Sequence, residues 1–473
     1  VTLDYGNRTI AVNLPDTVTT IEAGKTYQDP DPVFKDQKEA TLHALKNPLN
    51  MKPLRELAGP GKKVVIGFPD RVKGGAQKDA HRRITIPLIL KELMAGGCKM
   101  ENISLMCCIG LHRMNTLEEF NWYLGKDIVD LFYPDRIFNH DAEKDIIDLG
   151  IDHMGNAIEI NRHMANADLP IVIGHTAGNP YGGYSGGYKM IVTGISGARS
   201  IASHHCPDTM HREDWLGCTT KSHMRKQFHS IGKAMEAGID NEIFAIDAVL
   251  GMNSQVLQVA AGSLEAVEKA TWPLADQRTF VSLPKQEPAD VLIMGVPRDF
   301  HYGPGMGSNP ILMGLAIGGQ VSRCWAALRP GCVVIAAAVC DGWFNPHWFP
   351  SYEETYQTMQ NYDTPSNFLI SDEAAAISQE SDYLWQYSNK NTYHPFHAMS
   401  MISGGSMSLK WCSKVTIVGA KKPGYARGMG FATLPDLETA LKDAERYVGK
   451  NPKILATPRC FSSGMAVHLT MDR

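Results

Sequence analysis

The chain has no Cys-x-x-Cys pair. Its ten cysteines are scattered, with Cys107-Cys108 the only close pair, so neither a zinc ribbon nor a disulfide framework is expected. Most of them, Cys332 and Cys340 among them, sit in apolar runs and read as core packing. No uninterrupted apolar stretch reaches the roughly 18 residues of a membrane-spanning helix. Charge of one sign is not in excess either. The net charge is −4, which leaves no global basic field for nucleic acid or an anionic membrane. The opening VTLDYGNRTIAVNLP lacks the basic-then-apolar pattern of a secretion signal, so a cytoplasmic location is the expectation. Internal repeats and low-complexity tracts are also missing.

What is there is ordinary globular composition, 44% hydrophobic and 20% charged over 473 residues, enough for two or three domains. Strand and helix patterns alternate. KKVVIGF (62–68), NISLMCCIG (102–110) and DLPIVIG (168–174) read as short buried strands. A helical apolar pattern with a glycine stop lies near 78–95. TLEEFNWYLG reads as a helix whose Thr116 and Glu119 form a capping box. A second set begins near Ala289, with strands ADVLIMGVP and GCVVIAAAV around the helix NPILMGLAIGGQVSRCWAAL, then the helix LPDLETALKDAERYVG and the strand KILAT. The expected fold class is α/β, with mainly parallel sheets flanked by helices. Two units are expected, 1–285 binding a cofactor and 286–473 closing over the substrate, with the active site in the cleft between them. The three early strands place Asp70, His112 and a glycine-rich loop at their C-terminal ends, the edge where open α/β sheets bind ligands.

That loop, GHTAGNPYGGYSGGYKMIVTGISGARSIASHH (174–205), holds eight glycines, one lysine and three histidines. Glycine permits positive φ and close approach, so Ser185, Gly186 and Gly187 are candidates to present successive N–H groups to a phosphate. Lys189 follows directly, placed to pair with phosphate or to become a covalent attachment point. A plain glycine-rich turn with a solvated lysine and surface histidines fits the same composition. His204 and His205 lie about four helical turns further on, or nearer if the chain bends.

These residues resemble the nickel-pincer lactate racemases and their relatives. Tyr184-Ser185-Gly186-Gly187-Tyr188-Lys189 is similar to that family's lysine motif, and His205 follows Lys189 by 16 residues. Asp70-Arg71-Val72-Lys73 resembles its acidic strand-end motif, and Gly110-Leu111-His112-Arg113 its first histidine motif. Asn139-His140-Asp141 also resembles a family segment. The resemblance covers about 1–280 closely and the rest loosely.

The resemblance implies an enzyme, a 2-hydroxy-acid racemase or epimerase acting by reversible hydride transfer. It implies pyridinium-3,5-bisthiocarboxylic acid mononucleotide attached to Lys189 and carrying nickel, with His205 as the protein's metal ligand, a donor set suited to Ni(II). Asp70, Ser185, Gly186 and Gly187 would approach the nucleotide, and dedicated assembly enzymes would load it. His112 would be an acid/base, a role its pKa range suits. Three departures stand out. Asn179 lies where the family has its second catalytic histidine, and it can hydrogen-bond but not act as a base; His175 is the substitute candidate. Lys73 stands where an arginine is usual, giving a point charge instead of a fork. The family's Gln-x-x-Lys has no match after Gly295-Val296-Pro297, which argues against lactate and for a larger or more hydroxylated acid. His301, Tyr302, Asn309, Trp343, Asn345, His347 and Trp348 supply polar and aromatic groups for one. Asn309 is a candidate for substrate binding or for capping the next helix. Hydride exchange between two substrates on the same cofactor, pyridoxal phosphate at Lys189, and non-catalytic nucleotide binding are the alternatives.

Overall fold

The computed structural model describes residues 1–15, 17–72, 80–284, 286–299, 302–459, 461 and 467–471. The fold is mixed α/β, with mainly parallel sheets flanked by helices. The first sheet has the order Val256–Ser263, Phe244–Leu250, Leu169–Thr176, Val64–Pro69, Ile103–Cys108, Ile137–Asn139. Its neighbours run parallel except for the edge pair formed by the first two. Val64–Pro69 is buried at every position, as an apolar run covered on both faces should be. The expected helix near 78–95 is His81–Ala95. The capping box at Thr116 and Glu119 is formed.

From Val64–Pro69 the chain builds outward through Ile103–Cys108 and Ile137–Asn139. It then returns to add Leu169–Thr176 and Phe244–Leu250 on the other side. The order reverses between Val64–Pro69 and Leu169–Thr176, so their carboxyl ends diverge into a crevice, the usual ligand position of such sheets. Asp70 and His175 stand at those two ends.

Among the described residues the second sheet has eight strands. Ala289–Pro297 is central, flanked by Leu328–Ala337 on one side and by Ile454–Thr457 and Thr2–Gly6 on the other. The expected first unit, 1–285, therefore contains strands of the second sheet: Thr2–Gly6 pairs parallel with Ala289–Pro297, and Arg8–Ala11 and Thr19–Thr20 join the same sheet. The alternating N-terminal pattern announces a strand but not its partner, which lies almost 300 residues away (Tyr5 opposite Val296).

The glycine-rich loop is pinned from behind by two buried carboxylates. Gly187 N–H donates to Asp247 Oδ2 at 2.7 Å, and Tyr188 N–H to Glu268 Oε1 at 2.9 Å. Arg225 and His229 also hold Glu268, at 3.0 and 2.7 Å. Gly186 and Gly187 have φ of +77° and +54°. A Cβ on either would lie within 2.3 Å of the Asp247 or Glu268 side chain, so glycine is required here for packing as well as for conformation. The chain then turns into the helix Tyr188–Gly194, breaks, and resumes as Ala198–His204. The break brings His204 and His205 back toward Lys189, in place of four straight helical turns.

Burial raises the Asp247 carboxyl to about 7, against the opposing hydrogen bond from Gly187. The folded chain thus keeps this proton where the unfolded chain has released it. Stability contributed here is lost as pH rises from the ordinary carboxylate range toward about 7. Asp247→Asn retains an oxygen for the Gly187 N–H and removes the titration. Its stability relative to the parent chain should rise with pH across that window, as read by denaturant unfolding at several pH values. A difference that does not change with pH contradicts this account.

Candidate active site

A cavity of about 520 Å³ opens at the crevice. Its walls include His112, His175, Asn179, Ser185, Lys189 and His205 from the first sheet's loops. Residues flanking the second sheet close it: Tyr302, Arg323 of the helix Pro310–Cys324, and His397 and Ser400 of the helix Phe396–Trp411. That size is typical of a small-molecule or cofactor site.

His112 Nδ1–H donates to Asp70 Oδ2 at 2.7 Å, with both residues buried. This fixes the ring and leaves Nε2 as its basic nitrogen. The turn carrying His112 is clamped from the C-terminal half, because Tyr387 O–H donates to Gly110 O at 2.7 Å and His394 N–H to Leu111 O at 3.0 Å. Tyr302, Tyr393 and His397 surround the His112 ring at centroid distances of 5.5 to 5.7 Å. The next residue, Arg113, faces away. It is held by Glu119 and packs over Trp348 at 4.1 Å.

Lys189 is buried, and its Nζ donates to Asn179 Oδ1 at 3.1 Å and to Tyr181 O at 3.3 Å. It also lies 4.8 Å from the Tyr181 ring centre. The opposite side of the site is built on the same tyrosine, whose ring stacks on His205 at 5.0 Å. His205 and His204 pair through their Nδ1 atoms at 2.6 Å. Burial, aided by the charge of Lys189, depresses His204 to about 3, so it is neutral near pH 7. Asn179 is therefore in contact with the lysine ten residues on, and His175 lines the same cavity from its strand end.

Three expectations are revised by the geometry. The N–H of Gly187 is taken by Asp247, and Ser185 N–H donates to Ala177 O at 3.0 Å. These groups satisfy protein acceptors instead of facing a phosphate, and of the three only Ser185 lines the cavity. Asp70 reaches the site through His112. Asn309 is a helix cap, its Oδ1 accepting from Ile311 and Leu312 N–H at 3.0 and 3.3 Å; it is not part of the cavity wall. Lys73 and His301 lie outside the described residues. Of the aromatic and polar set around 301–348, Tyr302 reaches the cavity, while Trp343 is exposed and Trp348 covers Arg113. Sequence reasoning missed Tyr181, Arg323 and His397. Tyr181 lay inside the glycine-rich loop and was findable there. The other two sit in apolar helices whose relation to the loop is not local.

Among the described residues no three His, Cys, Asp or Glu side chains gather to hold a metal, and no helix is long and apolar enough to cross a membrane.

Residues 5–216 match the family described as the lactate racemase N-terminal domain. The lactate racemase of Thermoanaerobacterium thermosaccharolyticum is 24% identical over 96% of both chains. That of Lactiplantibacillus plantarum is 25% identical over 56% of this chain and 60% of its own. The structure of the Thermoanaerobacterium lactate racemase apoprotein superposes with a TM-score of 0.71 at 22% identity, covering 99% of both chains. A protein of Thermotoga maritima superposes with a TM-score of 0.57 at 13% identity, over 94% of this chain and all of that one. Residues 5–216 thus form a lactate racemase N-terminal domain, and the chain shares the fold of the lactate racemase apoprotein over nearly its whole length.

Proposed function

We propose that this enzyme racemises or epimerises a 2-hydroxy acid on a nickel-pincer nucleotide carried by Lys189. The observation that carries the reading is the convergence of Lys189, His205, the Asp70-His112 pair and His175 on one cavity. The residues fit the group. Lys189 presents a buried amine inside the cavity, and His205 is an imidazole on the same wall. A pincer would bring its own carbon and sulfur donors, and His205 would supply the imidazole it needs from the protein. With its proton on Nδ1, directed at neutral His204, His205 would keep its Nε2 lone pair for the metal, the usual way a neighbour fixes a ligating histidine. When bound, the group supplies reversible hydride uptake at the carbinol carbon.

The chain's own residues handle protons and position. His112 Nε2 takes the hydroxyl proton, with Asp70 holding the ring and stabilising its charged form. His175 serves the opposite face of the substrate, and Asn179 orients by hydrogen bonding. Tyr302 and Tyr181 exclude water. The lack of a Gln-x-x-Lys match, together with the polar groups of Tyr302, His397 and Ser400 in the wall, supports an acid larger or more hydroxylated than lactate. Loading by cofactor-assembly enzymes and a cytoplasmic setting belong to the same proposal.

Protein matured alongside assembly enzymes tests the attachment. Lys189→Ala should show no adduct by mass spectrometry, and His205→Ala should keep the nucleotide mass while losing nickel. An adduct on the alanine variant, or nickel lost from His204→Ala but not from His205→Ala, would overturn these assignments. His112→Ala should lower turnover at least about a hundredfold, the lower end for a positioned acid/base. His175→Ala should slow conversion of one enantiomer or epimer more than the other in single turnovers. Equal rates in both directions would remove His175 from the scheme.

A further inference from the structure

Among the described residues of the cavity wall, Arg323 is a charge without an ion pair. It lies in the last turn of Pro310–Cys324, a helix buried along its whole length. Leu315, Gly319 and Arg323 follow one another at steps of four and so share a helix face, and all three line the cavity. The arginine is 94% buried, being 6% exposed. Its Nε has no hydrogen-bond acceptor among the described residues, and no ion pair to it is found there. Asp299, a carboxylate in the cavity wall, accepts from Gly305 N–H and makes no such pair among the described residues. The helix C-terminus offsets part of the charge, but a buried guanidinium without a counter-ion remains strongly unfavourable. A protein retains such a group when something else brings the anion.

The location says what that anion meets. Arg323 acts electrostatically on both tyrosines of the site, its charge opposing the burial that raises the Tyr181 and Tyr302 hydroxyls. Tyr302 touches the His112 ring edge-on, and Tyr181 stacks on His205. The arginine is thus within electrostatic reach of the tyrosines that flank His112 and His205, and it comes from a helix beside the second sheet.

We infer that Arg323 is the oxyanion-binding group of this cavity, its guanidinium fork taking the carboxylate of the 2-hydroxy acid from the second-sheet side. Planar bidentate recognition of this kind suits arginine and not lysine. It supplies the cation that the missing Gln-x-x-Lys leaves wanting. The carboxylate assignment rests on the proposed function, whereas the oxyanion site does not. A phosphate ester offers the same chemistry, and the test separates the two.

The full-length apoprotein is titrated with sodium gluconate, with gluconamide as the neutral control, and with inorganic phosphate, all at matched ionic strength. Binding is read from the shift of the unfolding temperature, which ligand binding to the folded state produces. Gluconate should stabilise the parent chain and gluconamide should not. Arg323→Met should weaken the fitted anion affinity at least tenfold, and Arg323→Lys should recover only part of it. Without anion, Arg323→Met should unfold at the same temperature as the parent or higher, since it removes an uncompensated buried charge. Stabilisation by phosphate and not gluconate, still lost in Arg323→Met, keeps the oxyanion site and moves it to a phosphate ester. An anion response unchanged in Arg323→Met, no anion response in the parent, or a lowered baseline in Arg323→Met overturns the inference. Because the apoprotein is used, a failure of racemisation in the loaded enzyme would leave this result standing.

Discussion

Two buried carboxylates, Asp247 and Glu268, hold the arrangement on which the site depends. They take the N–H groups of Gly187 and Tyr188, and so fix the point where a tight glycine turn becomes a helix. Lys189 is the next residue, and its direction into the cavity follows from that point. Glu268 is itself tied to Arg225 at 3.0 Å inside the protein. Losing one member of such a buried pair typically costs about 3–5 kcal/mol. The turn is therefore held by the protein's own groups, so the placement of the Lys189 amine does not depend on a ligand.

The second constraint is topological. A reversal of strand order between Val64–Pro69 and Leu169–Thr176 opens the crevice, and each contributing strand delivers its special residue just beyond its end. The cavity is closed by the other half of the chain. Tyr387 and His394 hold the His112 turn, while Arg323 and His397 complete the wall. The His112 side and the Arg323 side consequently come from different sheets.

Local chemistry was legible in the sequence. The strand ends at Asp70 and His112, the capping box at Thr116 and Glu119, and the loop with Lys189 and His205 are each written within a short window, where periodicity and turn residues carry the information. Long-range choices were not. Nothing in VTLDYGNRTI says that Tyr5 will lie opposite Val296. A Ser-Gly-Gly turn suits protein carboxylates as well as phosphate, and Asp247, which takes one of its N–H groups, lies 60 residues from Gly187. Asn309 had two readings because a cap and a ligand contact use the same side-chain oxygen. Arg323 lay hidden in a helix that is otherwise apolar along most of its length.

The central claim is that the hydrogen at the carbinol carbon leaves and returns as hydride within one enclosed site. It is tested most directly with a 2-hydroxy acid deuterated at that carbon, mixed with an unlabelled, mass-tagged copy of the same acid and turned over by the loaded enzyme. The account predicts inverted product that retains deuterium in its original molecules, with none exchanged into solvent. Deuterium lost to water would mean proton abstraction in place of hydride transfer. Deuterium appearing in the mass-tagged copy would mean hydride exchange between substrates, and either result would contradict the account.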